Sequence, residues 1–376
     1  MSELTRGMRL GPVLRSWSPI LAAIALAACA AGPGGSSGGG DGWTEVSAAA
    51  ALAGVSLLDV TSFGAGFVAV GNAPVAGTVP YGGAFSSTDG SAWAAAPTEP
   101  FAGTTASVVG KVSKGLLALG SACSVECGGF ESWLSADAVT WAGPVSLSGD
   151  TSRPTGFAER GSTIAAISTD LVDPALNHYQ GFVDISSDGA TWTADPDPQM
   201  FDHTGLSGIA SDGTRFVIVG SNLLESGMRD GAAWTSSDGK TWAAATDDGS
   251  FKGALLQAVA HGAGGYLAVG SVGADGAVWT SADGTSWTRV DGGGFKASPL
   301  ADVATSGAGY LALGRDPNGG AAWTSADGKT WKALAGIPGM SDAKVIAAAI
   351  GVSKSIIVGQ PIGSAASGLV WVGPLP

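Results

Sequence analysis

Gly231-Ala232-Ala233-Trp234-Thr235-Ser236-Ser237-Asp238-Gly239-Lys240-Thr241-Trp242 is one of several near copies of a single pattern. An Asp-Gly pair between two alternating apolar runs signals a hairpin. Glycine takes the positive φ that the turn needs, and the Asp carboxylate accepts hydrogen bonds from backbone N–H groups one or two residues on. The tryptophan then stands on the outgoing strand. The same reading fits Ser87-Thr88-Asp89-Gly90-Ser91-Ala92-Trp93, Ser135-Ala136-Asp137-Ala138-Val139-Thr140-Trp141 and Ser186-Ser187-Asp188-Gly189-Ala190-Thr191-Trp192. It also fits Ser281-Ala282-Asp283-Gly284-Thr285-Ser286-Trp287 and Ser325-Ala326-Asp327-Gly328-Lys329-Thr330-Trp331. Successive aspartates lie 48, 51, 50, 45 and 44 residues apart, the interval of a four-stranded repeat.

This motif resembles the Asp-box repeat of bacterial neuraminidases in a short-spaced form, with Asp and Gly adjacent. The resemblance implies a β-propeller in which Asp89, Asp137, Asp188, Asp238, Asp283 and Asp327 are structural residues at the blade periphery.

A second element recurs ahead of each turn, as in Phe67-Val68-Ala69-Val70-Gly71, Phe216-Val217-Ile218-Val219-Gly220 and Tyr266-Leu267-Ala268-Val269-Gly270. Continuous apolar runs of this length read as strands buried on both faces. About eleven residues earlier comes a third element with small middle positions: Gly110, Ala158, Ala210, Ala260, Ala304 and Ala349. Small side chains suit crowded inner strands near an axis. Each repeat thus holds four strands, and such a sheet buries both faces only by stacking with its neighbours in a ring.

The tryptophans count the blades. Of thirteen, twelve occupy two repeat positions: Trp133, Trp234, Trp279, Trp323 and Trp371 on the third strand, and Trp43, Trp93, Trp141, Trp192, Trp242, Trp287 and Trp331 on the fourth. Trp43 has no strands before it, and Trp371 has no fourth strand after it. Pairing Trp43 to Val46 with Leu369 to Val372 closes a seventh blade and hides two open edges. The expected fold is therefore an all-β, seven-bladed β-propeller over residues 42–376, with four antiparallel strands per blade.

Residues 1–28 read as an export signal, with Arg6, Arg9 and Arg15 ahead of a short apolar run that ends in Leu26-Ala27-Ala28-Cys29. That ending looks like a bacterial lipobox, which makes Cys29 the expected lipidation site and a membrane the expected attachment of an envelope lipoprotein. Residues 29–41 carry the lipid and then a Gly/Ser-rich tether with no side chains able to build a core. Without residues 1–28 the chain has 15 basic and 30 acidic side chains, a balance that argues against nucleic acid as a partner. Cys123 and Cys127 are the other cysteines, and in an oxidising compartment they form a local disulfide. A monomer is expected.

Catalytic and metal motifs are not found. The sialidase resemblance would imply an Arg-Ile-Pro motif, an arginine triad and a Tyr/Glu pair, and the nearest match to the first is Arg153-Pro154. His178, His203 and His261 are scattered over three blades with no metal-ligand spacing, so no metal and no cofactor are expected. Lys111, Glu159 and His261, with Asp59 and Asp302, are inner-strand residues that a ring could bring together as a catalytic cluster near the axis; the favoured reading is that they cap strand ends beside channel water. The expectation is a non-catalytic module that binds a protein or a glycan. The alternative is a glycoside hydrolase or lyase with an unrecognised active site.

Loop lengths choose the working face. Connections between second and third strands, and from blade to blade, share one face and hold most of the length variation, in 169–180, 193–203, 221–230 and 247–252. These segments gather Asp170, Asp173, Tyr179, Asp195, Asp197, Phe201, Asp202, Asp230, Asp247 and Phe251, the candidate binding residues.

Overall fold

The computed structural model describes residues 40–46, 50–73, 81–123, 127–147, 153–173, 178–194, 198–224, 227–307, 309–363 and 367–376. All fall within the compact unit Ser37–Pro376. The signal, Cys29, the tether up to residue 39, Asp195 and Asp197 lie outside the described residues, as do the side chains of Asp173 and Cys127. Among the described residues no helix is long and apolar enough to cross a membrane.

Seven antiparallel blades follow one another in chain order, so the chain is a seven-bladed, all-β propeller. Blade 4 is typical: Thr204–Ser211, Phe216–Leu223, Arg229–Ser236 and Ala243–Ala244 pair in sequence order. The second strand is the most enclosed, with Phe216, Val217, Ile218 and Val219 fully buried between flanking blades. Each such side chain contributes about 1.5–3 kcal/mol of hydrophobic stabilisation. The core is accordingly divided into clusters shared by consecutive blades; one joins Leu57 and Phe67 of the first blade to Ile356 and Val358 of the last.

Ring closure takes the form read from the tryptophans. Thr44–Val46 pairs with Leu369–Gly373 in the register Thr44↔Val372, Glu45↔Trp371 and Val46↔Val370. Trp43 and Trp371 are both buried in the cluster between the sixth and seventh blades.

Every first strand carries a β-bulge at the same place, from Leu57/Asp59 in blade 1 to Val345/Ala347 in blade 7. The extra residue bends the inner strand where it passes the axis. Just beyond the bulge stand the small residues, wedged between consecutive blades. A Cβ on Gly110 would come within 2.8 Å of the Phe157 ring in the next blade.

The Ser-x-Asp-Gly turns have a common geometry. In the fourth blade Ser236 Oγ accepts the buried Gly239 N–H at 2.8 Å, while Asp238 Oδ1 accepts the exposed Lys240 and Thr241 N–H groups, each at 2.8 Å. Trp242 Nε1 then donates to the Gly239 carbonyl at 3.2 Å. Serine therefore satisfies the inner donor and aspartate the outer pair. Ala138 takes the glycine's place in the second blade at φ 66°, with the same bonds from Ser135 and Asp137.

Candidate functional site

The loop face is built differently from its expected form. The described residues of segments 169–180 and 221–230 largely prolong the antiparallel ladders of their blades. Thr163–Asp173 pairs with His178–Ser186 out to Leu171↔Tyr179 and Asp173↔His178. In the next blade Phe216–Leu223 pairs with Arg229–Ser236 out to Leu223↔Arg229. The backbone satisfies itself along these arms, so they project as defined structures from blades 3 and 4.

Several expected binding residues turn out to serve the scaffold. Phe201 is wholly buried, and its ring lies against Trp234 and Trp242 at 5.5 and 6.1 Å between centroids. Phe251 sits likewise on Trp279 and Trp287, and Phe101 and Phe295 repeat the arrangement in other blades. Each is a plug from the incoming blade link that covers the third- and fourth-strand tryptophans; such ring pairs, most of them edge-on, add about 0.5–1.5 kcal/mol beyond area burial. The acidic residues are similarly engaged. Asp230 Oδ1 accepts Gly253 N–H at 2.7 Å, Asp247 Oδ1 accepts Phe251 N–H at 3.1 Å, and Asp170 Oδ1 accepts Leu171 N–H at 2.8 Å. The signal for the plugs was present in the sequence, since Phe101, Phe201 and Phe251 each stand three residues before a first strand.

What remains is a cluster where blades 3 and 4 meet. Tyr179 and Asp202 are joined there by His178, His203 and Arg229. His178 Nε2 donates to Asp202 Oδ1 at 2.6 Å, and His203 Nε2 lies 3.9 Å from Asp202 Oδ2. The two imidazoles stack with centroids 3.9 Å apart and planes within 12°. The partnership with His178 holds the Asp202 carboxyl below its ordinary value. The Arg229 guanidinium covers the Tyr179 ring at 4.5 Å, tying one hairpin arm to the other. Sequence spacing had scattered these histidines. The fold joins them because the His178 strand and the 198–203 link both reach the loop face, where Gln180 and Asp202 form a β-bridge. His178 precedes Tyr179 and His203 follows Asp202, so both adjoin residues already singled out.

Exposed apolar side chains collect at the same corner. Among the described residues ten large hydrophobics are exposed, and five of them are Leu171 and Val172 on the blade 3 arm, Met200 on the link, and Leu224 and Met228 on the blade 4 arm. Elsewhere on this face, blades 5 to 7 enclose a groove of about 700 Å³ lined by Gln257, Arg315, Asp316, Asn318, Lys344 and Ile362 among others.

The axial channel, about 320 Å³, contains Asp59 and Asp302 in their bulges. Burial pushes Asp59 up to about 7, with repulsion from Asp302 adding to it, and pushes Asp302 up to about 6. Asp59 accepts Val60 N–H and, across the blade boundary, Val109 N–H, both at 2.8 Å. Asp302 accepts Ala348 N–H of the next blade at 3.0 Å. These carboxylates tie inner strands together. Lys111 and Glu159 do the same at the turn face, where Lys111 Nζ donates to Ser62 and Glu159 accepts from Ser113. His261 stays exposed there beside the Tyr266 ring, at 4.8 Å. Cys123 is disulfide-bonded, and Cys127 is its cross-strand partner in the backbone register.

No protein-family model and no curated protein matches the sequence. Solved structures do resemble it. YCF48 bound to D1 peptide superposes with a TM-score of 0.58 at 14% identity, covering 89% of this chain and 97% of that one. An acylaminoacyl peptidase of Pyrococcus horikoshii gives 0.51 at 8% identity, over 81% of this chain and 49% of the peptidase. A Trypanosoma rangeli sialidase in complex with sialic acid gives 0.48 at 15% identity, over 75% of this chain and 55% of the sialidase. The likeness is one of fold.

Proposed function

We propose that this chain is a non-catalytic binding module of the cell envelope, anchored by a lipid on Cys29, whose blade 3–4 corner docks a protein partner. The observation that carries the reading is the concentration of exposed Leu171, Val172, Met200, Leu224 and Met228 on two projecting arms and the link between them. Exposed apolar groups gathered in one place, rimmed by Asp202 and Arg229, suit a protein surface. A glycan would call for free aromatic faces, yet Phe201 and Phe251 are buried and Arg229 covers Tyr179. The YCF48 propeller, similar in fold, is seen with a peptide bound. A peptide or protein segment is the partner class assigned here too, on this chain's own apolar residues.

The test is site-specific photo-cross-linking in the native membrane. A photoreactive residue at Met228 or Val172 gives a discrete higher-mass adduct, and one at Val352, exposed on the opposite face, gives none. Adducts from Val352 alone would overturn the choice of face. Replacing Cys29 with Ser releases the protein from the membrane fraction or leaves an uncleaved precursor. A cleaved, still membrane-bound variant would overturn the anchor.

A further inference from the structure

From the blade 3–4 corner we infer that His178, Asp202 and His203 form a binding site for a divalent transition metal of the zinc class, with coordination positions left open on the loop face. One ligand atom from each of the three side chains lies within 4.8 Å of the others. Zinc holds imidazole nitrogen at about 2.0–2.1 Å and carboxylate oxygen at about 2.0–2.2 Å, which sets neighbouring ligand atoms about 3.3 Å apart in a tetrahedron. The present separations are 2.6 Å from His178 Nε2 to Asp202 Oδ1 and 3.9 Å from His203 Nε2 to Asp202 Oδ2, one below and one above that value and each to its own carboxylate oxygen. Bringing both Nε2 atoms onto one ion requires the stacked His203 ring to swing out of its parallel arrangement, a movement open to it because the Asp202 and His203 side chains are 47% and 52% exposed.

The backbone holds the three residues in place. His178 is fixed in the strand ladder opposite Asp173. Asp202 and His203 sit between wholly buried Phe201 and buried Thr204, whose hydroxyl donates to the Asp202 carbonyl at 3.1 Å. His203 has φ 54°, its N–H donates to Asp202 Oδ1 at 3.0 Å, and its carbonyl accepts Leu223 N–H at 2.7 Å. That conformation turns the ring back over His178.

A hydrogen-bonded His–Asp pair would need one imidazole. Here a second lies flat on the first, with its Nε2 3.9 Å from the other carboxylate oxygen. Two nitrogens and one oxygen select zinc, cobalt, nickel or copper over calcium and magnesium, which take oxygen ligands. Three protein ligands leave at least one position for water or a donor from outside the chain. Arg229 and exposed Met228 belong to the arm beside it, so a carboxylate or imidazole of the docked protein is the fitting fourth ligand. That role rests on the function proposed above; metal binding by the chain alone does not.

The intact protein, cleared of metal by chelation, is titrated with Co²⁺, followed by its visible d–d absorption, and then displaced with Zn²⁺. One equivalent binds. His203→Asn keeps a residue that tolerates positive φ but removes the ligand, and His178→Gln keeps a hydrogen bond to Asp202. Each weakens the metal by at least the tenfold to a hundredfold, in order of magnitude, that even outer-shell changes cost. His261→Asn, on the far face, binds as the wild type does. Metal-free melting temperatures show that all three variants are folded. No uptake by the wild type at large molar excess, or equal affinity in His203→Asn, overturns the site. Repeating the Met228 cross-link with EDTA separates the two proposals: an adduct lost with the metal supports bridging, and an adduct unchanged overturns bridging while leaving the docking face in place.

Discussion

Ser236 and Asp238 divide the work of one turn, and the division predicts unequal costs for removing them. Gly239 N–H, which Ser236 accepts, is buried, whereas the two N–H groups held by Asp238 can turn to water. A buried donor left without an acceptor costs about 1–3 kcal/mol, whereas water can replace the carboxylate at its two exposed N–H groups, which leaves each of those bonds near the low end of about 0.5–1.5 kcal/mol. Ser236→Ala also removes the hydroxyl that donates to Asp238 Oδ1 at 2.9 Å. Chemical denaturation will therefore show Ser236→Ala to be more destabilising than Asp238→Ala. The reverse order would mean that the carboxylate organises the turn. Glycine matters in these turns for space as well as φ. A Cβ on Gly90, at φ 79°, would lie 2.7 Å from Ile356 in the seventh blade.

Among the elements, the short closing strand has the largest effect for its size. Thr44–Val46 covers an otherwise open edge of Leu369–Gly373, and Trp43 beside it fills the space next to Trp371. Deleting 42–47 exposes that edge and empties the position of a buried tryptophan, a loss of roughly 3–5 kcal/mol from the side chain alone. Deleting 30–40 removes chain with no core-forming side chains. Calorimetry should show a clear drop in melting temperature for the first deletion and almost none for the second. Equal values would contradict closure by this strand.

For the whole molecule, two sets of carboxyl groups set opposite limbs of the pH–stability curve. Asp137, Asp188, Asp238 and Asp327 are held down at about 2 by the N–H groups of their turns, against an ordinary value of 3.8. Between those values the unfolded chain binds more protons, so stability is lost as the pH falls from about 4 to 2. Asp59 and Asp302, raised to about 7 and 6, give the opposite sign. The folded state keeps their protons after the unfolded state has lost them, so stability declines as the pH rises from about 4 to 7. Each of the two buried groups, Asp59 and Asp302, contributes a slope of at most about 1.4 kcal/mol per pH unit. Thermal melts should peak near pH 4 to 5, and Asp59→Asn combined with Asp302→Asn should flatten the limb above it. A double variant with an unchanged limb would place its origin elsewhere.

The ring was legible in the chain alone: the repeat of Asp turns, apolar strands and small inner positions, the number of blades, and the pairing of the two incomplete ends. Each of these depends on a local rule, whether turn chemistry, strand periodicity or one indole per strand position, and local rules repeat with the chain. The blade 3–4 corner is different. That Asp230 and Asp247 are spent on backbone donors, and that His178 meets His203 across Asp202, depend on where separate segments end in space. A hairpin arm and a blade link are neighbours only because the ring brings both to one face. Spacing along the chain has no bearing on that, and so the scaffold was legible in the sequence while the candidate site was decided by the tertiary structure.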